Sequence, residues 1–174
     1  LTVRLPADAA NSHRAQEPPS QRPTLDIIGS GLSLEQLNAL ACALEIKRWV
    51  RFLGPYSPKS IAKKTAEYDA LIAPFCIAND GDRDTGPLVL KEAMACGLPV
   101  ITTDIMGCPE IINQACGYMV PSNDSKALKQ AILDFSALSE SKKIRMRRSA
   151  RQRVQSKFDA ALQGLKLSRL IMLK

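Results

Sequence analysis

Two carboxylates, Asp84 and Glu92, stand eight residues apart around the pair Gly86-Pro87, within the run NDGDRDTGPLVLKEAMACGLPVITTDIMGCP from Asn79 to Pro109. Proline is favoured in the first turn of a helix, so Pro87 predicts a helix start. Glu92 then lies more than one turn inside, and Asp84 in the loop before it. The N–H groups at such a start lack intrahelical partners and carry the positive end of the helix dipole, which suits an anion. Two carboxylates so spaced could bracket a hydroxyl-rich ligand whose phosphate rests on the helix end. A plainer alternative stands beside this one: Glu92 faces solvent and the acidic loop serves solubility.

Other candidate groups carry less. Gly29-Ser30-Gly31 holds two glycines of a dinucleotide fingerprint, without the third and without an acid after a second strand. It reads as a tight turn that lets a ligand approach the backbone. The cysteines (Cys42, Cys76, Cys96, Cys108, Cys116) never form a CxxC pair, and the one histidine, His13, lies in a polar segment. That pattern argues against a zinc site and for reduced thiols in a cytosolic protein, each expected to be a small buried hydrophobe. No metal ligand set is expected.

The elements that must position these residues follow from pattern. A chain of 174 residues, 45% hydrophobic, suits one ordinary domain and is not disordered. No stretch approaches the ~18 uninterrupted apolar residues of a spanning helix. Residues 6–23 are polar and proline-rich and predict a poorly ordered loop behind a short remnant strand. Strands are then expected at 25–28, 49–53, 70–73, 100–103 and 117–120. Helices are expected from Leu34 to Leu44 with Ser33 as cap, and near 58–67, 87–96, 124–136, 140–157 and 159–173. Alternating helices and short apolar strands predict a doubly wound, Rossmann-like parallel α/β sheet. Its ligands would bind outside the carboxyl ends of the strands, where Gly29, Gly54, the 76–86 loop and Asp104 fall.

Charge is concentrated at one end. From Lys142 to Lys174 there are eleven basic residues and one acid, Asp159, which leaves 13 basic and 16 acidic residues elsewhere. Met146, Ala150, Val154 and Phe158 recur every four residues, giving a helix with one apolar stripe and a cationic face. That face reads first as solvated. The next reading is contact with an anionic membrane surface. Nucleic acid lacks the basic, aromatic stacking surface it needs.

The ordered motifs resemble the donor-binding half of retaining GT-B glycosyltransferases of the group 1, family-four class. Asp84 is followed after seven residues by Glu92-Ala93-Met94-Ala95, then Gly97-Leu98-Pro99-Val100, then Gly107-Cys108-Pro109-Glu110-Ile111. IIGSG, VRFLG, LIAP, GYMVPSNDSKALKQAI and ARQRV fit the flanks. The DGD before the motif resembles the exopolysaccharide, colanic-acid-type branch. The likeness runs over about 24–158, a donor-binding domain, with 159–174 as the family's crossing helix.

The resemblance implies a hexosyltransferase moving sugar from a nucleotide diphosphate sugar, its donor substrate, to a carbohydrate or lipid-linked acceptor, with no metal cofactor. Glu92 would hold the ribose and Asp84 the sugar hydroxyls. The backbone of Thr85, Gly86, Pro87 and Leu88 would meet sugar and phosphate, beside the turn at Gly29. Arg4 would retain the family's diphosphate-binding arginine. Asp84 stands where the family has Glu, one carbon longer. The family's Lys-Gly and first helix are missing, as is the preceding acceptor-binding domain with its histidine. The chain, opening on Leu1, therefore reads as a fragment with no catalytic residue of its own and no transfer activity alone. It would be cytoplasmic and peripheral to the inner membrane face. A non-catalytic nucleotide-binding remnant and a nucleotide-sugar epimerase of the same fold are the alternatives.

Overall fold

The structure is a computed structural model, and it describes Thr2–Arg4 as backbone, residues 23–83 and residues 85–172. The expected proline-rich loop, Asp84 and the side chain of Arg4 lie outside the described residues. The chain divides after Ile72 into two compact units.

The first unit holds β1 (Thr2–Arg4), β2 (Thr24–Ile28), α1 (Leu34–Ala43), β3 (Val50–Gly54), α2 (Pro58–Lys64), a 3-10 turn (Thr65–Glu67) and the start of β4 (Ala70–Ala73). Its strands lie in the order β3-β2-β1-β4. The expected parallel pairing holds between β2 and β3, where Leu25 faces Val50 and Asp26 faces Arg51. It fails at β1, which is antiparallel to both β2 and β4. Parallel neighbours need a crossover element, usually a helix, and residues 6–23 carry no helical periodicity to build one.

Ser33 occupies the N-cap of α1, yet its side chain makes no capping hydrogen bond. The apolar face expected on α1 is buried only at Ala41, while Leu37, Leu40 and Leu44 stay 41–57% exposed. In contrast α2 starts as its sequence predicts. Ser57 accepts the Ser60 N–H at 3.2 Å and Pro58 occupies the first turn.

The second unit carries α3 (Leu88–Ala95), β5 (Val100–Thr103), α4 (Cys108–Ile111), β6 (Gly117–Val120), α5 (Ser125–Ser136), α6 (Glu140–Lys157) and α7 (Ala160–Met172). β5 and β6 pair in parallel, Val100 opposite Gly117 and Thr103 opposite Val120. All of β5 is buried, as a strand covered on both faces must be. α3 and α5 pack against it, with Leu90, Met94 and Phe135 buried, and Ala150 is buried on α6, which packs along α3. The stripe expected on α6 is buried at Ala150 and half-buried at Met146, Val154 and Phe158. In α7 no residue is buried.

The cysteine expectation is corrected. Cys108 and Cys116 are buried, but Cys42, Cys76 and Cys96 are exposed. Cys42 and Cys96 fall at helix ends and Cys76 in a loop, where little packs over the thiol.

Candidate functional site

The segment carrying the expected site leaves β4 and runs to α3, and its beginning is tied down. Phe75 O accepts the hydroxyl of Thr103 at 2.7 Å and that of Ser122 at 3.2 Å. Ser122 N–H donates to Asp104 Oδ1 at 3.1 Å, and Asp104 N–H to Val120 O at 2.9 Å. The carboxyl ends of β5 and β6 thus fix the loop's departure. Farther on, Ala78 N–H donates to Asp82 O and Asp82 N–H to Asp80 Oδ1, shaping the acidic turn around Gly81.

At the other end Thr85 and Gly86 are exposed and Pro87 is buried. Pro87 is the N-cap of α3 rather than its first helical residue, so the helix body starts at Leu88, one position later than the sequence predicts. It has no N–H, and no side chain caps the start. Amides of the first turn therefore have no helical acceptor before them. Leu90, Ala93 and Met94 point inward, while Leu88 is 67% exposed. Glu92 lies one turn beyond Leu88, on the same face, and is exposed as well. One turn and one helix thus gather Thr85, Gly86, Pro87, Leu88 and Glu92.

Two expected site residues belong to the first unit. Gly29 follows β2 with φ +133, a conformation open to glycine, and its N–H donates to Gly54 O at 2.9 Å. Nothing lies within 4 Å of where a Cβ would stand, so the requirement there is conformational and not spatial. Arg4 lies in β1.

Sequence reasoning missed two supports. Gly107 has an ordinary φ of −76, yet a Cβ there would sit 2.7 Å from Thr85 O and 3.5 Å from Gly86 Cα. Arg153 on α6 donates from Nε to Ile111 O at 2.7 Å and from Nη2 to Glu110 O at 2.8 Å, capping the end of α4. A glycine needed for space carries no turn signature. An arginine within a cationic helix looks like its neighbours.

A cleft of about 230 Å³ opens at the same strand ends, among Pro74, Cys76, Thr103, Val120 and Asp124. Asp124 Oδ1 is already committed to the Lys126 and Ala127 N–H groups at the start of α5. Burial pushes the Cys116 thiol above its ordinary pKa, and pushes the Tyr118 phenol up too, with Asp134 adding to the second. Among the described residues no group of three or more His, Cys, Asp or Glu could hold a metal ion.

An α/β unit with an open helix start behind an exposed turn, and a carboxylate one turn in, presents amide donors suited to an anion and a carboxylate acceptor suited to hydroxyls. The family model described as glycosyl transferases group 1 matches residues 3–137, and the chain belongs to that family. It is 29% identical over 146 residues to WcaL of Escherichia coli (strain K12), named for colanic acid biosynthesis glycosyltransfer, covering 83% of this chain and 36% of that protein. The amylovoran biosynthesis glycosyltransferase AmsK of Erwinia amylovora is 30% identical over the same shares. The chain thus spans about a third of the length of these relatives. Its fold is also that of Anabaena HepE, solved with UDP-glucose, at TM-score 0.71 and 22% identity over 90% of this chain and 42% of that one.

Proposed function

We propose that residues 24–158 form the donor-binding domain of a hexosyltransferase that uses a nucleotide diphosphate sugar, with 159–174 as a crossing helix. The observation that carries this reading is Glu92, exposed one turn inside an uncapped helix whose start is the exposed Thr85-Gly86 turn. The ribose hydroxyls donate to Glu92. Amides at the turn and first helical residues meet sugar and phosphate, and Asp84 the sugar's hydroxyls. Family membership and the names of WcaL and AmsK support transfer to a growing polysaccharide, a carbohydrate or lipid-linked acceptor.

In the proposed reaction the bond between the sugar's anomeric carbon and the diphosphate oxygen breaks, and its electron pair leaves with the diphosphate. An acceptor hydroxyl oxygen bonds to that carbon on the same face, and its proton passes to the departing phosphate. This chain contributes positioning and charge stabilisation of the leaving group. A further acceptor-binding domain supplies the cleft's other wall, so the 174 residues alone bind donor without transferring sugar.

A second reading concerns place. Leu165, Leu170 and Ile171 of α7 are 57–66% exposed, and α6, which precedes it in the chain, is densely cationic. That pairing supports a cytoplasmic protein peripheral to an anionic membrane. No helix among the described residues is long and apolar enough to cross one.

Calorimetric titration with UDP-, GDP- and ADP-sugars tests the donor reading. Saturable binding of one of them, weakened by Glu92→Ala, is expected. Heat-silent titrations with a folded chain would overturn it in favour of a remnant without donor binding. Conversion of the bound sugar to its epimer would instead make the chain an isomerase.

A further inference from the structure

We propose that Arg153 is a positioning residue for the Thr85-Gly86 turn, acting through α4 and Gly107. As a statement about donor binding this rests on the reading above; as a statement about the turn's geometry it does not.

The helix between them is a single turn. Four residues cannot hold a helix by themselves, because the first hydrogen-bonded turn fixes several dihedrals for little return. Something outside α4 must hold it, and the structure shows a hold at each end. At its C-terminal end Ile111 O and Glu110 O, carbonyls without helical donors, both accept from the Arg153 guanidinium. The planar fork fixes two successive carbonyls at once, which a point-like ammonium cannot do in the same way. At the N-terminal end Gly107 abuts the Thr85 carbonyl so closely that not even a methyl group would fit. Between the two ends Cys108 and Ile111 are buried, and the Thr102 hydroxyl approaches Cys108 Sγ at 3.8 Å.

The anchor of this strut is the helix that also carries α3. α6 packs along α3. Where they meet, a Cβ on Gly97 would lie 3.8 Å from Arg147 O, and Lys91 Nζ stands 5.5 Å from the Phe158 ring centre. Thr85 and Gly86 therefore sit between two elements seated on one base: α3 follows them in the chain, and α4 presses on them through Gly107. Arg153 holds α4 in that position. It is half-buried and contributes no apolar side chain to the core, so its loss loosens α4 without opening the unit.

The test compares Arg153→Gln, Arg153→Lys and Gly107→Ala with the parent chain by amide hydrogen exchange, melting and titration with UDP-, GDP- and ADP-glucose and GDP-mannose. Arg153→Gln is expected to speed exchange at Thr85, Gly86 and Leu88 while leaving Tyr118–Val120 unchanged. Donor affinity should fall roughly three- to thirtyfold, the range for residues coupled to a site without touching the ligand. Arg153→Lys, which keeps charge but loses the fork, should fall between. Gly107→Ala, which pushes the same turn from the other side, should shift the same amides. Faster exchange confined to residues 110–112, with Thr85–Leu88 as in the parent, would overturn the proposal and leave Arg153 a cap on α4 alone. If the parent binds no nucleotide sugar, the donor reading fails, and the exchange pattern still decides whether Arg153 governs the turn.

Discussion

Arg51 meets Asp26 straight across the parallel β2–β3 ladder, through hydrogen bonds of 2.7 Å from Nε and 2.6 Å from Nη2. The carboxylate is 2% exposed while the arginine side chain is 53% exposed, and the Tyr68 hydroxyl donates to Asp26 Oδ2 at 2.7 Å. The pairing holds the guanidinium pKa above its already high value, chiefly through that hydrogen bond. The two partners are therefore unequal. Arg51→Ala leaves a buried carboxylate without its guanidinium and should destabilise the chain by about 3 kcal/mol. Tyr68→Phe removes one donor and should cost about 1 kcal/mol. Urea midpoints measure both. Equal losses would mean that the charge of Arg51 adds nothing to a plain hydrogen bond.

The proposed division of labour between two carboxylates separates by ligand. Glu92→Ala should weaken binding of nucleotide and nucleotide sugar alike by roughly 1–3 kcal/mol, because the ribose hydroxyls lose their acceptor. Its melting temperature should stay unchanged, since the side chain is exposed. Asp84→Ala should weaken the nucleotide sugar and spare the free nucleotide diphosphate. Calorimetry on the two ligands reads the difference, and an equal loss for both in Asp84→Ala would detach that residue from the sugar.

Much of this frame is legible in the sequence, and its failures have physical causes. The strand limits at 70–73, 100–103 and 117–120 agree with the structure because these short runs hold mostly apolar and β-branched residues and end against Pro or Asp, at Pro74, Asp104 and Pro121. The position of Glu92 follows from Pro87 and helical spacing, although the helix body starts one residue later. The antiparallel β1 is not legible, since three residues carry no directional signal and direction depends on what connects them. Ser33 has the chemistry of a cap but not the geometry: at ψ 1 it is already turned away from the extended cap conformation. Gly107 and Arg153 matter through residues 22 and 42 positions away, and no local pattern encodes such distances.

Burial at Cys116 has a consequence at alkaline pH. The thiol's pKa lies above its ordinary 9.0 in the folded chain, so the folded state keeps a proton that the unfolded state releases. Its contribution to stability is full below pH 9.0 and declines as pH rises from there through the raised folded value. Tyr118, raised from 10.0 by burial, continues the decline at higher pH. Urea midpoints taken upward from pH 8 should therefore fall, and Cys116→Ala should flatten the first part of that slope. An unchanged slope in the variant would assign the alkaline loss to other groups.

The C-terminal helices make a prediction about surfaces. Every residue from Ala160 to Met172 is exposed, and Leu165, Leu167, Leu170 and Ile171 are 57–66% exposed. The helix is fixed at its start, where Asp159 Oδ1 accepts the Leu162 N–H at 3.0 Å and Gln163 donates to Lys157 O at 2.6 Å. Its apolar side chains are exposed, and it follows α6 in the chain, where Glu140 is the one acid beside eight basic residues. An exposed apolar strip of this kind favours association, and each well-placed Lys or Arg adds about 1 kcal/mol near an anionic lipid surface. The chain should sediment with anionic vesicles at low salt and be released as salt rises, because the cationic part is screened. Removing residues 159–174 should lower self-association and vesicle binding while the circular dichroism of the remaining sheet and helices persists. A monodisperse monomer indifferent to anionic vesicles at low salt would refute both the apolar and the cationic part of the membrane reading.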